Sequence, residues 1–375
     1  MIYLDSAATT FQKPPAVAAA MGRAMNTMTS PGRGGHPAAM LAADTAFACR
    51  SELAELFGLQ NPENVVFTLN ATHALNLAIK TLVPPGGRAV ISGYEHNAVT
   101  RPLRALEAQI SVAESPLFSA ADAVRAFAET ITPETHAVIC THVSNVFGFI
   151  LPVEEIAALC RRRGVPLVID ASQSAGVLPL DMGALGAAFA AMPGHKGLYG
   201  PQGTGVLLCG EGGPPVRTLL EGGTGSVSLQ QEMPEFLPDR LEAGTHNMPG
   251  IAGLLEGVRY VREQGMDAIC RRERELTLLL AEGLRTVSGL RIHALPGLRQ
   301  QTGVLSVVPE TGDVERLGQQ LAERGIAVRA GLHCAPLAHR SAGTLETGTV
   351  RLSVSAFNTR REIYETLAVF QERTA

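Results

Sequence analysis

Short apolar runs alternate with longer amphipathic stretches through the first two thirds of the chain. Val65-Val66-Phe67-Thr68-Leu69, Ala89-Val90-Ile91-Ser92, Ala137-Val138-Ile139-Cys140-Thr141 and Pro166-Leu167-Val168-Ile169-Asp170 read as strands. Helical spacing fills the intervals at 72–82, 98–108 and 153–163. Pro14-Pro15 opens an earlier helix, since proline suits a first turn, and an alanine-rich helix follows over 37–57. Two more apolar runs, 187–191 and 206–208, flank the stretch Met192-Pro193-Gly194-His195-Lys196-Gly197 and a glycine-rich turn at 200–205. Nearly continuous apolar strands alternating with helices predict a mostly parallel sheet covered on both faces.

The character shifts after Gly244. Helices are predicted over 249–263 and 267–286, then a strand at 303–308, a helix at 314–324, a strand at 350–354 and a last helix to about 372. This reads as a smaller α+β domain, with a junction near residue 250. Residues 5–13 read as an irregular segment and 30–36 as a loop.

Composition narrows the function classes. At 375 residues, 46% hydrophobic and 18% charged, the chain has the apolar content for about two domains and a large core. A net charge of −4 gives no footprint for nucleic acid. No apolar run approaches the ~20 residues of a membrane span, and the opening Met1-Ile2-Tyr3-Leu4-Asp5 does not look like a signal peptide. Six cysteines stand at 49, 140, 160, 209, 270 and 334, none paired as CxxC. That spacing suggests neither a metal site nor a disulfide framework, and a cytoplasmic protein with reduced thiols is expected.

In parallel sheets ligands sit beyond the carboxyl ends of the strands. Asn70-Ala71-Thr72-His73 follows one strand and opens a helix, where free amides suit a phosphate, although Asn70 also fits as a plain cap. His96 follows the next strand and is placed to stack on a flat ring or move a proton, or to serve as an ordinary loop residue. Asn145 offers a donor or caps a turn. Asp170 ends a strongly apolar strand and wants a positive partner; a protonated pyridine nitrogen is one, and a helix cap is the plainer alternative. Lys196, set among glycines, is a candidate Schiff-base former, or a solvated loop charge. Together they describe a phosphate cradle, a stacking ring, an acid for a pyridinium nitrogen and a lysine, a combination that favours a pyridoxal phosphate site over a set of unrelated caps.

The same residues carry a resemblance. Tyr3-Leu4-Asp5-Ser6-Ala7-Ala8-Thr9-Thr10, Glu95-His96-Asn97, Asp170-Ala171-Ser172-Gln173, Gly194-His195-Lys196, Glu242-Ala243-Gly244-Thr245 and Val328-Arg329-Ala330-Gly331-Leu332-His333-Cys334-Ala335 resemble the cysteine desulfurase family, a class V branch of the fold-type I aminotransferases. The form of the cysteine segment resembles the SufS-like group, which also holds selenocysteine lyases. The resemblance implies a fold-type I α/β enzyme. Its large domain (14–250) would hold a mostly parallel seven-stranded sheet, and residues 1–13 and 251–375 would form a smaller α+β domain.

It also implies roles. Lys196 would hold pyridoxal 5'-phosphate and move the α-proton, Asp170 would keep the ring nitrogen protonated, and His96 would stack on the ring. Gln173 and Asn145 would contact the phenolic oxygen. Ala71, Thr72 and His195 would bind the phosphate, joined by Thr245 from the second subunit of a homodimer. Arg351 would take the substrate carboxylate, with Ala7 and Asn145 beside it and with Arg33 and His36 near the neighbouring site. An internal salt bridge is the other reading of Arg351. Cys334 would attack the sulfur of L-cysteine and keep it as a persulfide, leaving L-alanine; a protein acceptor or a reductant would then take the sulfur. Its loop places it beside His333 and close to Arg329, a setting expected to favour a thiolate. Pro193, His73 and Leu332 depart from the family pattern. Two other readings are a selenocysteine lyase (acting on L-selenocysteine) or other class V enzyme, and a sulfur-transfer scaffold without catalysis.

Overall fold

The structure is a computed structural model that describes residues 1–32 and 34–372. A seven-stranded sheet forms its centre. The strands lie in the order Val65–Thr68, Gly205–Cys209, Phe189–Pro193, Leu167–Asp170, Ala137–Thr141, Arg88–Ser92 and Gln109–Ala113. Only Gly205–Cys209 runs against its two neighbours; the other pairings are parallel.

Alternate side chains of these strands enter two separate cores. Val90, Val138, Ile169 and Met192 pack on one face, while Ala89, Ile139, Val168 and Ala191 pack on the other. Burial on both faces explains why these strands read as apolar runs rather than as alternating ones. The edge strand Gln109–Ala113, unlike them, alternates polar and apolar positions and is half exposed. That is why the sequence pattern passed over it and over the helix Ala120–Thr130 that follows.

The C-terminal elements form a second, antiparallel sheet in the order Arg329–Gly331, Thr349–Ser353, Val304–Pro309 and Leu290–His293. Helices Met266–Leu284, Val314–Glu323 and Arg360–Glu372 supply apolar side chains to its core, among them Leu280, Leu317 and Phe370. The N-terminal strand Ile2–Tyr3 pairs in parallel with Ile326–Ala327, and Asp5 bridges to Ser353. The start of the chain is thereby tied to its end.

Candidate active site

Six of the predicted site residues stand at one end of the central sheet. Ala71 and Thr72 open the helix Ala71–Leu82 just beyond strand Val65–Thr68. His96 follows Arg88–Ser92, Asp170 ends Leu167–Asp170, and His195 with Lys196 follows Phe189–Pro193. With Asn145 and Gln173 they line a cavity of about 220 Å³.

Each wall has a local cause. Asn70 Oδ1 accepts the His73 amide at 3.0 Å and so caps the helix. The amides of Ala71 and Thr72 belong to the first turn, which lacks intrahelical partners. His96 caps its own helix, Asn97–Ala105, with Nδ1 accepting the Ala98 amide at 3.0 Å. In the neutral ring the proton is therefore on Nε2. Burial, the largest influence, lowers the His96 pKa; Lys196 pushes the same way and Asp170 opposes.

Asp170 is 3% exposed. Its Oδ1 accepts the Ser172 amide at 2.9 Å in a turn, not a helix, so the capping alternative fails. Its other oxygen takes no hydrogen bond among the described residues. Glu95, whose role sequence reasoning left unassigned, lies nearby and is wholly buried. Its Oε1 accepts from Ser92 Oγ and from the Thr141 amide, while Oε2 has no partner. Burial, reinforced by the Asp170 charge, pushes the Glu95 pKa up to about 8.

Lys196 is partly buried and makes no side-chain hydrogen bond among the described residues. Desolvation brings its pKa down to about 8; Asp170 opposes that fall, Arg351 and Arg329 add to it, and Asp5 opposes it. The lysine is therefore poised to lose its proton near neutrality. The surrounding glycines serve packing against the protein itself. A Cβ on Gly194 would collide with Thr204 Oγ1, and one on Gly197 with the Ala175 carbonyl oxygen.

The N-terminal segment holds this loop, a role its irregular sequence did not announce. The His195 carbonyl accepts from the Thr10 amide at 3.1 Å, Thr10 Oγ1 at 2.9 Å and Lys13 Nζ at 3.0 Å. His195 Nδ1 meets Thr9 Oγ1 at 3.0 Å. The Ala7 carbonyl accepts from Gln173 Nε2 at 2.9 Å.

The other described candidates, Ala7, Arg351, Cys334, His36 and Thr245, do not line this cavity. Arg351 is 2% exposed and paired with Asp5 at 2.6 Å, so the internal salt bridge is present. Its Nη1 donates to the Asn145 carbonyl at 3.0 Å. Cys334 is the exposed cysteine among six, on a loop where both it and His333 have positive φ, 56° and 49°. The loop is latched to the cavity wall, not part of it. Asn145 Nδ2 donates to the His333 carbonyl at 2.9 Å, and the Asn97 amide to the Cys334 carbonyl at 2.8 Å.

The expected setting of Cys334 needs correction. His333 is buried and its Nε2 meets Thr349 at 3.1 Å; burial and the nearby Arg351 drive its pKa far down, so it is a neutral anchor. Arg329 is paired with Asp5 at 3.5 Å. His333 is therefore not a cation at Cys334, and the half-exposed Arg329 shares Asp5 with Arg351. Burial pushes the thiols of Cys49, Cys160 and Cys209 up to about 12.

His36 caps the helix Pro37–Leu56, its Nδ1 accepting the Ala39 amide at 3.3 Å. Arg33 lies outside the described residues. Thr245 lines a different recess of about 120 Å³ with Leu69 and His73. Glu242 anchors that segment: it accepts Arg50 Nη1 at 2.7 Å and the Phe67 amide at 2.6 Å, and it meets His246.

Comparison with known proteins identifies the family. Residues 2–365 match the Aminotransferase class-V family. A probable cysteine desulfurase of Methanothermobacter thermautotrophicus is 32% identical over 96% of this chain and 92% of its own length. The chain belongs to the cysteine desulfurases of the class-V aminotransferase family. A probable cysteine desulfurase of Mycolicibacterium paratuberculosis is 33% identical over 97% of the chain, which spans 54% of that relative. The apo cysteine desulfurase of Thermococcus onnurineus superposes with a TM-score of 0.89 at 31% identity, over 100% of this chain and 94% of that one.

The family works on pyridoxal phosphate, and the cavity fits that group. It offers first-turn amides at one wall, a buried carboxylate with a spare oxygen, a planar imidazole, and a lysine whose ammonium is disfavoured. Amides at a helix start suit a phosphate, and a buried carboxylate suits a protonated ring nitrogen.

Proposed function

We propose that this chain is a pyridoxal phosphate-dependent cysteine desulfurase that converts L-cysteine to L-alanine and carries the sulfur on Cys334. The observation that carries the reading is the convergence of Ala71, Thr72, His96, Asp170, His195 and Lys196 on one cavity at the strand ends. Bound pyridoxal phosphate supplies an electron sink for a carbanion at the substrate Cα.

The chain's own residues do the rest. Lys196 Nζ holds the cofactor covalently and then shuttles the α-proton, which its lowered pKa favours. Asp170 keeps the ring nitrogen charged, and Glu95 beneath it stays protonated at neutral pH and adds no second negative charge. His96 would cover the ring, while Gln173 and Asn145 would serve its phenolic oxygen. The first-turn amides and His195 hold the phosphate. Pro193, at the cavity wall, offers this phosphate no hydroxyl and no N–H.

Arg351 takes the substrate carboxylate through its planar fork. The Cys334 thiolate attacks the substrate sulfur; the C–S bond breaks, a persulfide remains on Cys334, and a proton at Cβ completes L-alanine. An exposed cysteine on a loop outside the cavity suits hand-over to a sulfur acceptor protein. On the family resemblance, a homodimer would complete the site, with Thr245 and His36 near the neighbour's cavity.

The test is the visible spectrum of the purified protein before and after L-cysteine, with alanine and sulfide assayed in the same tube. A yellow protein that changes colour and forms both products is expected. A yellow protein that forms neither overturns the desulfurase reading and keeps the cofactor site.

A further inference from the structure

The guanidinium assigned to the substrate carboxylate is closed off. Arg351 is 2% exposed and does not line the Lys196 cavity. Asp5 occupies it: Oδ1 accepts from Arg351 Nη2 at 2.6 Å, and Oδ2 lies 3.5 Å from Arg329 Nε. The hold is incomplete, because Arg351 Nε is buried without a partner. Asp5 engages a single N–H of a fork built to grip a carboxylate by two.

The surroundings explain why an acid stands there. Arg329 and Arg351 face each other directly across antiparallel strands, where like charges repel. Asp5 enters between them from the N-terminal segment, which bridges to Ser353, two residues beyond Arg351. A buried guanidinium without a counter-ion is strongly destabilising, so Asp5 stabilises the fold around Arg351. Two guanidiniums sharing one carboxylate still carry one net positive charge, enough for one more carboxylate. Arg329 is the more exposed of the two, at 51% of its side chain, so an ion pair there costs little to remake.

We propose that Asp5 is the resident occupant of the carboxylate subsite: an incoming α-carboxylate takes Arg351, and Asp5 moves over to Arg329. This rests on the reading of Arg351 given above. It assigns the site to α-amino acids and excludes amines such as cysteamine, which have no carboxylate to exchange for Asp5.

Calorimetric titration of propionate (an alanine carboxylate without its amine) into the cofactor-loaded wild type and Asp5→Asn tests the exchange. KM and kcat for L-cysteine are measured alongside. Removing the competitor is expected to tighten propionate binding about tenfold and to lower KM by about the same factor. Equal or weaker binding in Asp5→Asn overturns the proposal and makes Asp5 a fixed strut. Should Asp5→Asn melt too early to titrate, its melting temperature is followed against propionate. A steeper rise than in wild type then supports the exchange, and an equal or smaller rise overturns it. A protein that tightens on propionate in this way but makes no alanine from L-cysteine keeps the exchange and loses the desulfurase reading.

Discussion

The Lys196 cavity and the Arg351–Cys334 region stand side by side and are built by different means. The cavity lies at the ends of parallel strands, and burial tunes its groups. Lys196 is lowered to about 8 and Glu95 raised to about 8 mainly by loss of water. The neighbouring region grows from an antiparallel sheet and is governed by ion pairs and loop hydrogen bonds. Arg351 is paired internally, and Cys334 is exposed outside the cavity wall. The first region is preorganised for a resident group. On the proposed reading the second has to rearrange, because one of its members is sealed and the other stands outside, and the chain would then separate holding a cofactor from admitting a substrate and releasing sulfur.

The largest break in that comparison is Lys196→Ala. It is expected to abolish the visible band at neutral pH and to lower kcat by at least ~10³-fold, read by absorption and alanine assay. A variant that keeps the band and the rate removes Lys196 from its role. Cys334→Ser acts on the other region alone. The band and its response to L-cysteine are expected to persist, while alanine and sulfide formation falls by ~10²-fold or more, the scale of losing a directly reacting group. Turnover of L-selenocysteine in the same variant sharpens the result: if it survives, the two chalcogens leave by different routes. Full activity on L-cysteine in Cys334→Ser removes the persulfide step.

The smallest effect concerns Glu95 and stability. Its folded pKa of about 8 lies above the ordinary 4.5, so the folded chain holds the proton more tightly. The stability this contributes is complete below pH 4.5 and is lost as pH rises toward 8. Glu95→Gln removes that slope. Thermal melts at an acid pH and above pH 8 are expected to differ less in the variant than in wild type. Parallel curves in the two proteins mean that Glu95 does not titrate in this range.

How much of this was legible beforehand depends on whether an element buries itself locally. Strands Ala137–Thr141 and Leu167–Asp170 were readable almost to the residue, because burial on both faces leaves an unbroken apolar run. Strands Gln109–Ala113 and Leu290–His293 were not, being partly exposed and mixed in polarity. Arg329–Gly331 read as a loop because strand pairing with Thr349–Ser353 depends on residues about twenty positions away. In the same way, the sequence placed Asn70, His96, Asp170 and Lys196 after strands, and a parallel sheet gathers such positions at one end.

By itself, then, the order of apolar runs determined the parallel sheet, its strand ends and the kinds of groups collected there. Only the tertiary structure decided that Asp5 sits on Arg351, that Thr10 and Lys13 pin His195, and that His333 turns into the core instead of assisting Cys334. Those pairs join residues up to 346 positions apart. Their energies are set by burial and by which groups the fold brings into contact, and neither is written in local periodicity.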